Sequence, residues 1–337
     1  MKIKKEYIIL VIIIVVLSVY LFMRKTDRTL YELPVLPEIS KKEISKIEIS
    51  KGETSIVLNK KDGQWYIGPQ QYIADKNKID SMLDVFEKLT LTVSVSESKN
   101  YVRYDLNEEK KINVKAWQDN TLKINFDVGK TASSFRHTFV KLAEDDRVFH
   151  AQDNFRNKFD QSVDNLRNHT VLSFQTSDIN EIQITKDQQS LTLNRVQLPG
   201  EETPQKEDQA DASASQPTQT VWQSTDGKMG DSTSVNRLLS ILSNLRCEKF
   251  IDDRKKESFI APLYTIQLKS AQDYNLSIFA KLNEEDTQYP ATSSGSDYPF
   301  YLSKSKADGI IKDPTELLKK AQTDEKKSEP QKPKSKQ

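Results

Sequence analysis

The chain has 337 residues, 50 Lys and Arg against 49 Asp and Glu, a net charge of +1 and 36% hydrophobic residues. So even a balance lacks the basic footprint of a nucleic-acid-binding domain, and a single cysteine, Cys247, rules out an internal disulfide. Three histidines, His137, His150 and His169, leave little material for a His-based metal site or a general base.

Tyr7–Met23 is a run of seventeen uncharged, nearly all apolar residues, with Lys2, Lys4 and Lys5 before it and Arg24, Lys25 and Arg28 after it. At ~1.5 Å per residue it lies at the lower edge of what spans a hydrocarbon core of about 30 Å. Its exit, Tyr20-Leu21-Phe22-Met23, is bulky and offers no small-residue cleavage site, so an uncleaved transmembrane anchor is expected rather than a signal peptide. A short basic tail before a large body favours a cytoplasmic N-terminus, which in a bacterium puts the body on the periplasmic side of the inner membrane.

Residues 26–43, with Pro34 and Pro37, read as a stalk. Ile44–Ile49 and Ile56–Leu58 read as short strands around Lys51-Gly52-Glu53, and Gln64–Ile67 as a third strand after the Asp62-Gly63 turn. Asp75 is an expected N-cap for a helix over about 76–89, carrying Ile79, Met82, Leu83, Phe86 and Leu89 at helical spacing. Val93 and Val95 alternate with polar residues. Two hairpins follow, around Gln118-Asp119-Asn120 and around Glu144-Asp145-Asp146, and a second helix is expected over Phe155–Leu166.

From about residue 170 the pattern begins again. Ile47 to Ile56 and Ile182 to Leu191 are both steps of nine, Trp222 stands where Trp65 stood, and Asp231 or Ser232 is the expected cap of a helix carrying Val235, Leu238, Leu239, Leu242 and Leu245, as Asp75 is of the first. Strands are expected at Tyr264/Ile266/Leu268, Leu276/Ile278 and Phe300–Leu302. The expectation is an α+β chain of two repeated units, each an antiparallel sheet packed on an amphipathic helix. The expected boundaries are an anchor at 1–25, a stalk at 26–43, units at 44–169 and 170–313, a disordered Pro/Glu/Gln/Ser-rich insertion at about 197–219, and a disordered Lys-rich tail at 314–337.

Several motifs stand in an order that resembles the family known as domain of unknown function 4340. They are Trp65 after an Asp-Gly turn, Ala74-Asp75, Tyr104-Asp105-Leu106 where the family tends to have Tyr-Gly-Leu, and Asp127-Val128-Gly129-Lys130. Phe139-Val140-Lys141, Val148-Phe149-His150 and Leu166-Arg167 complete the series. The resemblance covers roughly 45–320. It implies a membrane-anchored bacterial protein, often encoded beside ABC transporters of the gliding-motility type, and brings no catalytic residues.

Individual residues point to no chemistry. Trp65 and Trp222 read as core. His137 and His150, on neighbouring strands, lack a third ligand of metal spacing. Gly129-Lys130-Thr131 matches the end of a phosphate loop, but Ile124 occupies the place of its first glycine. Cys247 reads as a buried thiol, Ser232 and Ser234 as helix-capping residues, and Glu108-Glu109, Asp145-Asp146 and Asp252-Asp253 as solvated turns. The expected function is therefore a non-enzymatic binding or scaffolding subunit with no cofactor, no metal and no catalytic residue. Its expected partners are the membrane and the permease or ATPase subunits of an ABC transporter. The competing expectation is an envelope hydrolase whose carboxylates only the fold brings together.

Overall fold

The computed structural model describes residues 12–20, 32–187, 189–199, 218–281, 283 and 285–319. Residues 12–20 form a helix, α1, exposed along its length. The rest of the Tyr7–Met23 run lies outside the described residues, and among those described no helix is long and apolar enough to cross a membrane. Residues 26–31, the centre of the expected insertion at 200–217 and residues 320–337 of the expected tail also lie outside them, while the start of that tail, Pro314–Leu317, is a 3-10 turn capped by Asp313 with Leu317 buried rather than disorder.

The remaining residues fall into two compact units divided between Arg167 and Asn168. Both are α+β with antiparallel sheets. The first contains β1 (Lys46–Lys51), β2 (Thr54–Lys61), β3 (Gln64–Ile67), β4 (Tyr72–Ile73), α2 (Lys76–Lys88) and β5 (Leu91–Ser96). A 3-10 turn (Tyr101–Tyr104) leads into β6 (Ile112–Gln118), β7 (Thr121–Thr131), β8 (His137–Leu142) and β9 (Val148–Gln152), followed by α3 (Arg156–Phe159) and α4 (Val163–Leu166). The sheet order is β4-β3-β2-β1-β6-β7-β8-β9-β5.

Alternation along the strands sends Ile47, Ile49, Val114, Phe126, Val128, Val140 and Phe149 to one face, where they are buried with Ile79, Met82, Leu83 and Phe86 of α2. Phe86 meets the Phe126 ring edge-on at 6.3 Å. The expected helix over Phe155–Leu166 is two short turns. The chain leaves helical geometry at Asp160, and the Ser162 hydroxyl accepts the Asn165 N–H to start α4. The segment expected as a stalk runs along this unit over its described part: Ile39 is buried, Lys41 Nζ meets Asp84 at 2.6 Å, and Arg147 donates to the Glu32 carbonyl at 3.2 Å.

The second unit contains β10 (Thr170–Ser173), β11 (Glu181–Lys186), β12 (Gln189–Pro199), β13 (Thr218–Ser224), α5 (Ser232–Leu242), β14 (Asn244–Arg246) and β15 (Lys249–Phe250). They are followed by β16 (Tyr264–Lys269), β17 (Tyr274–Ile278), β18 (Gln288–Ser293), β19 (Phe300–Ser303) and α6 (Lys304–Ile310). Its main sheet runs β13-β12-β11-β16-β17-β18-β19-β15. The two ends of the expected insertion are strand, not disorder: β12 and β13 pair out to Pro199↔Thr218, because backbone pairing extends the ribbon beyond its apolar residues.

Read strand for strand, this order matches the first sheet from β3 to β5, and the pairings match as well. Ile47↔Leu58 and Ile49↔Ile56 have counterparts in Ile182↔Leu193 and Ile184↔Leu191. Val114↔Phe126 and Val140↔Phe149 have counterparts in Ile266↔Leu276 and Ala291↔Phe300. Both helices start the same way. The Asp75 carboxylate accepts from Asn77 and Lys78, and the Asp231 carboxylate from Ser234. The backbone N–H of each cap donates to a distant leucine carbonyl, Asp75 to Leu166 at 2.8 Å and Asp231 to Leu317 at 2.7 Å.

Candidate functional site

The face of the first sheet opposite α2 carries the candidate site. On β8 and β9 the residues that alternate away from the helix are His137, Phe139 and Lys141, and Val148 and His150. The 3-10 turn folds over this face, burying Tyr104 and Leu106 against Val148, with Val95, Tyr101 and Phe139 packed around them.

Two residues let the turn sit there. Asp105 adopts the left-handed conformation (φ 54°, ψ 38°), the region that favours glycine. Gly129 on β7 lies directly beneath: a Cβ there would stand 2.3 Å from the Tyr104 carbonyl oxygen and 3.1 Å from that of Phe139. Gly129 therefore serves the close approach of backbone to strand, and the sequence match to a phosphate loop has no structural counterpart on β7.

Beside this packing lies an open groove of about 590 Å³, lined by Val95, Arg103, Tyr104, Lys130, Ala132, Ser133, Ser134, Phe139 and His150. Arg103 projects from the turn, Lys130 from β7, and the serines from the loop between β7 and β8. Rings in its lining form a ladder, Tyr104 to Phe139 at 4.9 Å and Phe139 to His150 at 4.8 Å, and His150 stacks outside the lining on His137 at 5.2 Å with 22° between planes. Burial, then the neighbouring His137, lowers the His150 pKa below the ordinary imidazole value. Phe135 stands at the loop tip, exposed, with φ 57°; its N–H donates to the Ala132 carbonyl at 2.9 Å.

The fold thus brings together His137 and His150. Among the described residues no group of three or more His, Cys, Asp and Glu is placed to hold a metal ion. Ser134 Oγ lies 3.4 Å from His137 Nδ1 but accepts the Arg136 N–H at 3.3 Å, so it ties the loop. Trp65 and Trp222 are buried, as is Cys247. Of the two expected caps of α5, Asp231 and Ser232, the Asp231 carboxylate is the one observed, and Ser234 supplies the N–H it accepts rather than a capping hydroxyl. Asp145 is held by Arg147 at 2.7 Å, and Asp146 by Lys99. Sequence reasoning missed Arg103, Ser133, Ser134 and Phe135, and considered Lys130 only within the phosphate-loop match and the Asp127–Lys130 motif. The signal available was the pairing of the Tyr-Asp-Leu and Gly-Lys motifs, which the fold stacks on each other.

The family described as Domain of unknown function (DUF4340) matches residues 65–262. The chain belongs to this family. Neither a curated protein nor a solved structure matches the chain. The DUF4340 motifs of this chain have structural work to do. The Trp65 carbonyl accepts the Ala74 N–H at 2.9 Å, the Leu166 carbonyl accepts that of Asp75, and the Arg167 guanidinium lies 3.8 Å over the Tyr72 ring. Four of them, those of Tyr104, Lys130, Phe139 and His150, meet at the groove.

Proposed function

We propose that this chain is a membrane-anchored binding subunit of an envelope complex, an accessory to an ABC-type transporter, with its body on the periplasmic side. In this reading Tyr7–Met23 is the anchor, the N-terminus is cytoplasmic, and the two units are copies of one ancestral α+β unit. The matching strand orders and cap-to-leucine hydrogen bonds support the duplication. The length and apolarity of the run support the anchor.

The observation that carries the binding reading is the groove of the first unit. It presents two cations, two hydroxyls, an imidazole and aromatic rings, and no carboxylate lines it. Such a lining suits holding a ligand and offers no paired carboxylates to hydrolyse one. Affinity purification of the tagged full-length protein from mild-detergent membranes, beside a form lacking residues 1–25, tests the assignment. Co-purification of permease or ATPase subunits supports it; their absence from both preparations would sink the transporter partnership.

A further inference from the structure

We propose that the groove of the first unit binds a phosphate-class oxyanion, and that the stacked pair His137 and His150 couples this binding to proton uptake. The inference rests on the reading of the groove as a binding site and adds the class of ligand and its control.

The lining selects for an anion on charge and on hydrogen bonding. Arg103 and Lys130 are exposed cations reaching the groove from two elements. A guanidinium offers a planar fork of donors to a tetrahedral oxyanion, and an ammonium adds a mobile point charge. Ser133 and Ser134 add hydroxyl donors from the loop that closes one end. Neither cation has a carboxylate partner within 4 Å among the described ion pairs, although the nearby Lys99, Lys110, Lys111 and Arg147 all do. The groove therefore holds cationic charge that the protein itself does not neutralise.

The histidine pair makes that charge adjustable. With parallel rings 5.2 Å apart, a proton on one disfavours a proton on the other. An anion in the groove, which His150 lines, reverses the balance by stabilising imidazolium. Linkage then requires the converse: protonation must tighten anion binding.

The charged surroundings agree in sign. Arg103 and Tyr104 approach from the turn, Lys130 from β7, Arg136 from the loop, and Lys141 lies on the same face of β8. The acidic groups near these elements are Asp105 in the turn, which Lys110 engages, Asp127 on β7, which Asn113 and Lys111 engage, Asp153, exposed after β9, Asp145 and Asp146, which Arg147 and Lys99 engage, and Glu97 after β5. Burial and the neighbouring ring disfavour a proton on His150, and an anion in the groove opposes both.

The test is calorimetric titration of the full-length protein in nonionic detergent with sulfate, whose charge is constant over the range used, at fixed ionic strength and at pH about 5.5 and about 7.5. Saturable binding is expected, about tenfold tighter at the lower pH, the result of roughly half a proton taken up per anion. Arg103→Gln with Lys130→Gln should abolish binding at both pH values. His137→Gln with His150→Gln should keep the weaker binding and lose its pH dependence. Imidazole resonances should titrate at higher pH when sulfate is present, a readout that loss of packing would not produce. Glycerol phosphate competing with sulfate would identify a soluble or polymeric source. Binding of phosphatidylglycerol vesicles over phosphatidylcholine vesicles, dependent on Arg103 and Lys130, would identify a lipid headgroup. No saturable sulfate binding, or binding unchanged by the double cation substitution, would overturn the anion site; a pH dependence surviving in the histidine variant would overturn the coupling. Transporter subunits that co-purify while sulfate fails to bind sink this inference alone, and the reverse result sinks the transporter partnership alone.

Discussion

Replacing Gly129 by alanine tests whether the turn over the groove is held by close backbone approach. The new Cβ would lie 2.3 Å from the Tyr104 carbonyl oxygen, 3.0 Å from Leu106 Cγ and 3.1 Å from the Phe139 carbonyl oxygen. Ordinary contact needs about 3.5 Å, so the turn must lift by roughly 1 Å. Backbone stands on two sides, so no flexible side-chain tip can yield. Overpacking of this kind costs about 1–3 kcal/mol. Full release of the turn would instead expose Tyr104 and Leu106 at about 1.5–3 kcal/mol each, so the smaller cost prevails and a loss of about 2–3 kcal/mol is expected. The control is Gly52→Ala, where nothing lies within 4 Å and only a φ of +55° opposes the side chain; about 1 kcal/mol is expected there. A chain of two units need not unfold in one step, so hydrogen exchange resolved to residues 91–152 should accompany urea unfolding. Gly129→Ala should speed exchange in the turn and in β5 and β9 first. Equal losses in the two variants, with unchanged exchange at the turn, would refute the reasoning.

Phe149→Ala and Phe300→Ala, at matching positions in the two sheets and both fully buried, should each cost about 3–5 kcal/mol and loosen only their own unit in hydrogen exchange. A silent member of the pair would break the correspondence. Asp75→Ala and Asp231→Ala should each cost about 1 kcal/mol through loss of a helix cap, read as a lower unfolding midpoint. The Ser234 N–H bond holds the Asp231 carboxyl below its ordinary pKa, so its contribution is complete above the unfolded carboxylate value and fades as pH falls through the folded one. Asp231→Asn should accordingly flatten the acid limb of the stability curve. Burial pushes the Tyr264 hydroxyl up to about 12, so protonated Tyr264 stabilises the fold below the unfolded value and that contribution is lost as pH climbs toward about 12. In ultraviolet titration, Tyr264→Phe should delete the last phenol to ionise.

Much of the architecture was legible because apolar period and cap chemistry coincide. Asp75 followed by Ile79, Met82, Leu83 and Phe86 leaves one reading, and the cap and the buried face are where that reading puts them. The Ile47–Ile56 and Ile182–Leu191 spacings, nine residues each, exposed the shared hairpin because a strand pair with a tight turn fixes register. What escaped was non-local. Leu91–Ser96 shows its alternation but gives no hint that it pairs with β9 at the edge, some sixty residues on. Phe155–Leu166 has helical spacing, yet Asp160 and Ser162 break it, because two local caps compete with one continuous helix. The groove escaped for the same reason. Arg103, Lys130 and Ser134 are ordinary surface residues until the turn, resting on Gly129, brings them together.

The hydrogen bonds from Asp75 to the Leu166 carbonyl and from Asp231 to the Leu317 carbonyl make each unit a ring that its last turn closes. During synthesis the helix α2 emerges some eighty residues before the group that receives its cap N–H. The seam of the first unit therefore stays open until Leu166 has left the ribosome, and that of the second until Leu317 has. Neither seam can close earlier, and the first ring can shut before most of the second has been made. A pause or a truncation just upstream of either leucine would strand a nearly complete sheet with its helix start unsecured, the state in which chaperones and proteases would meet it.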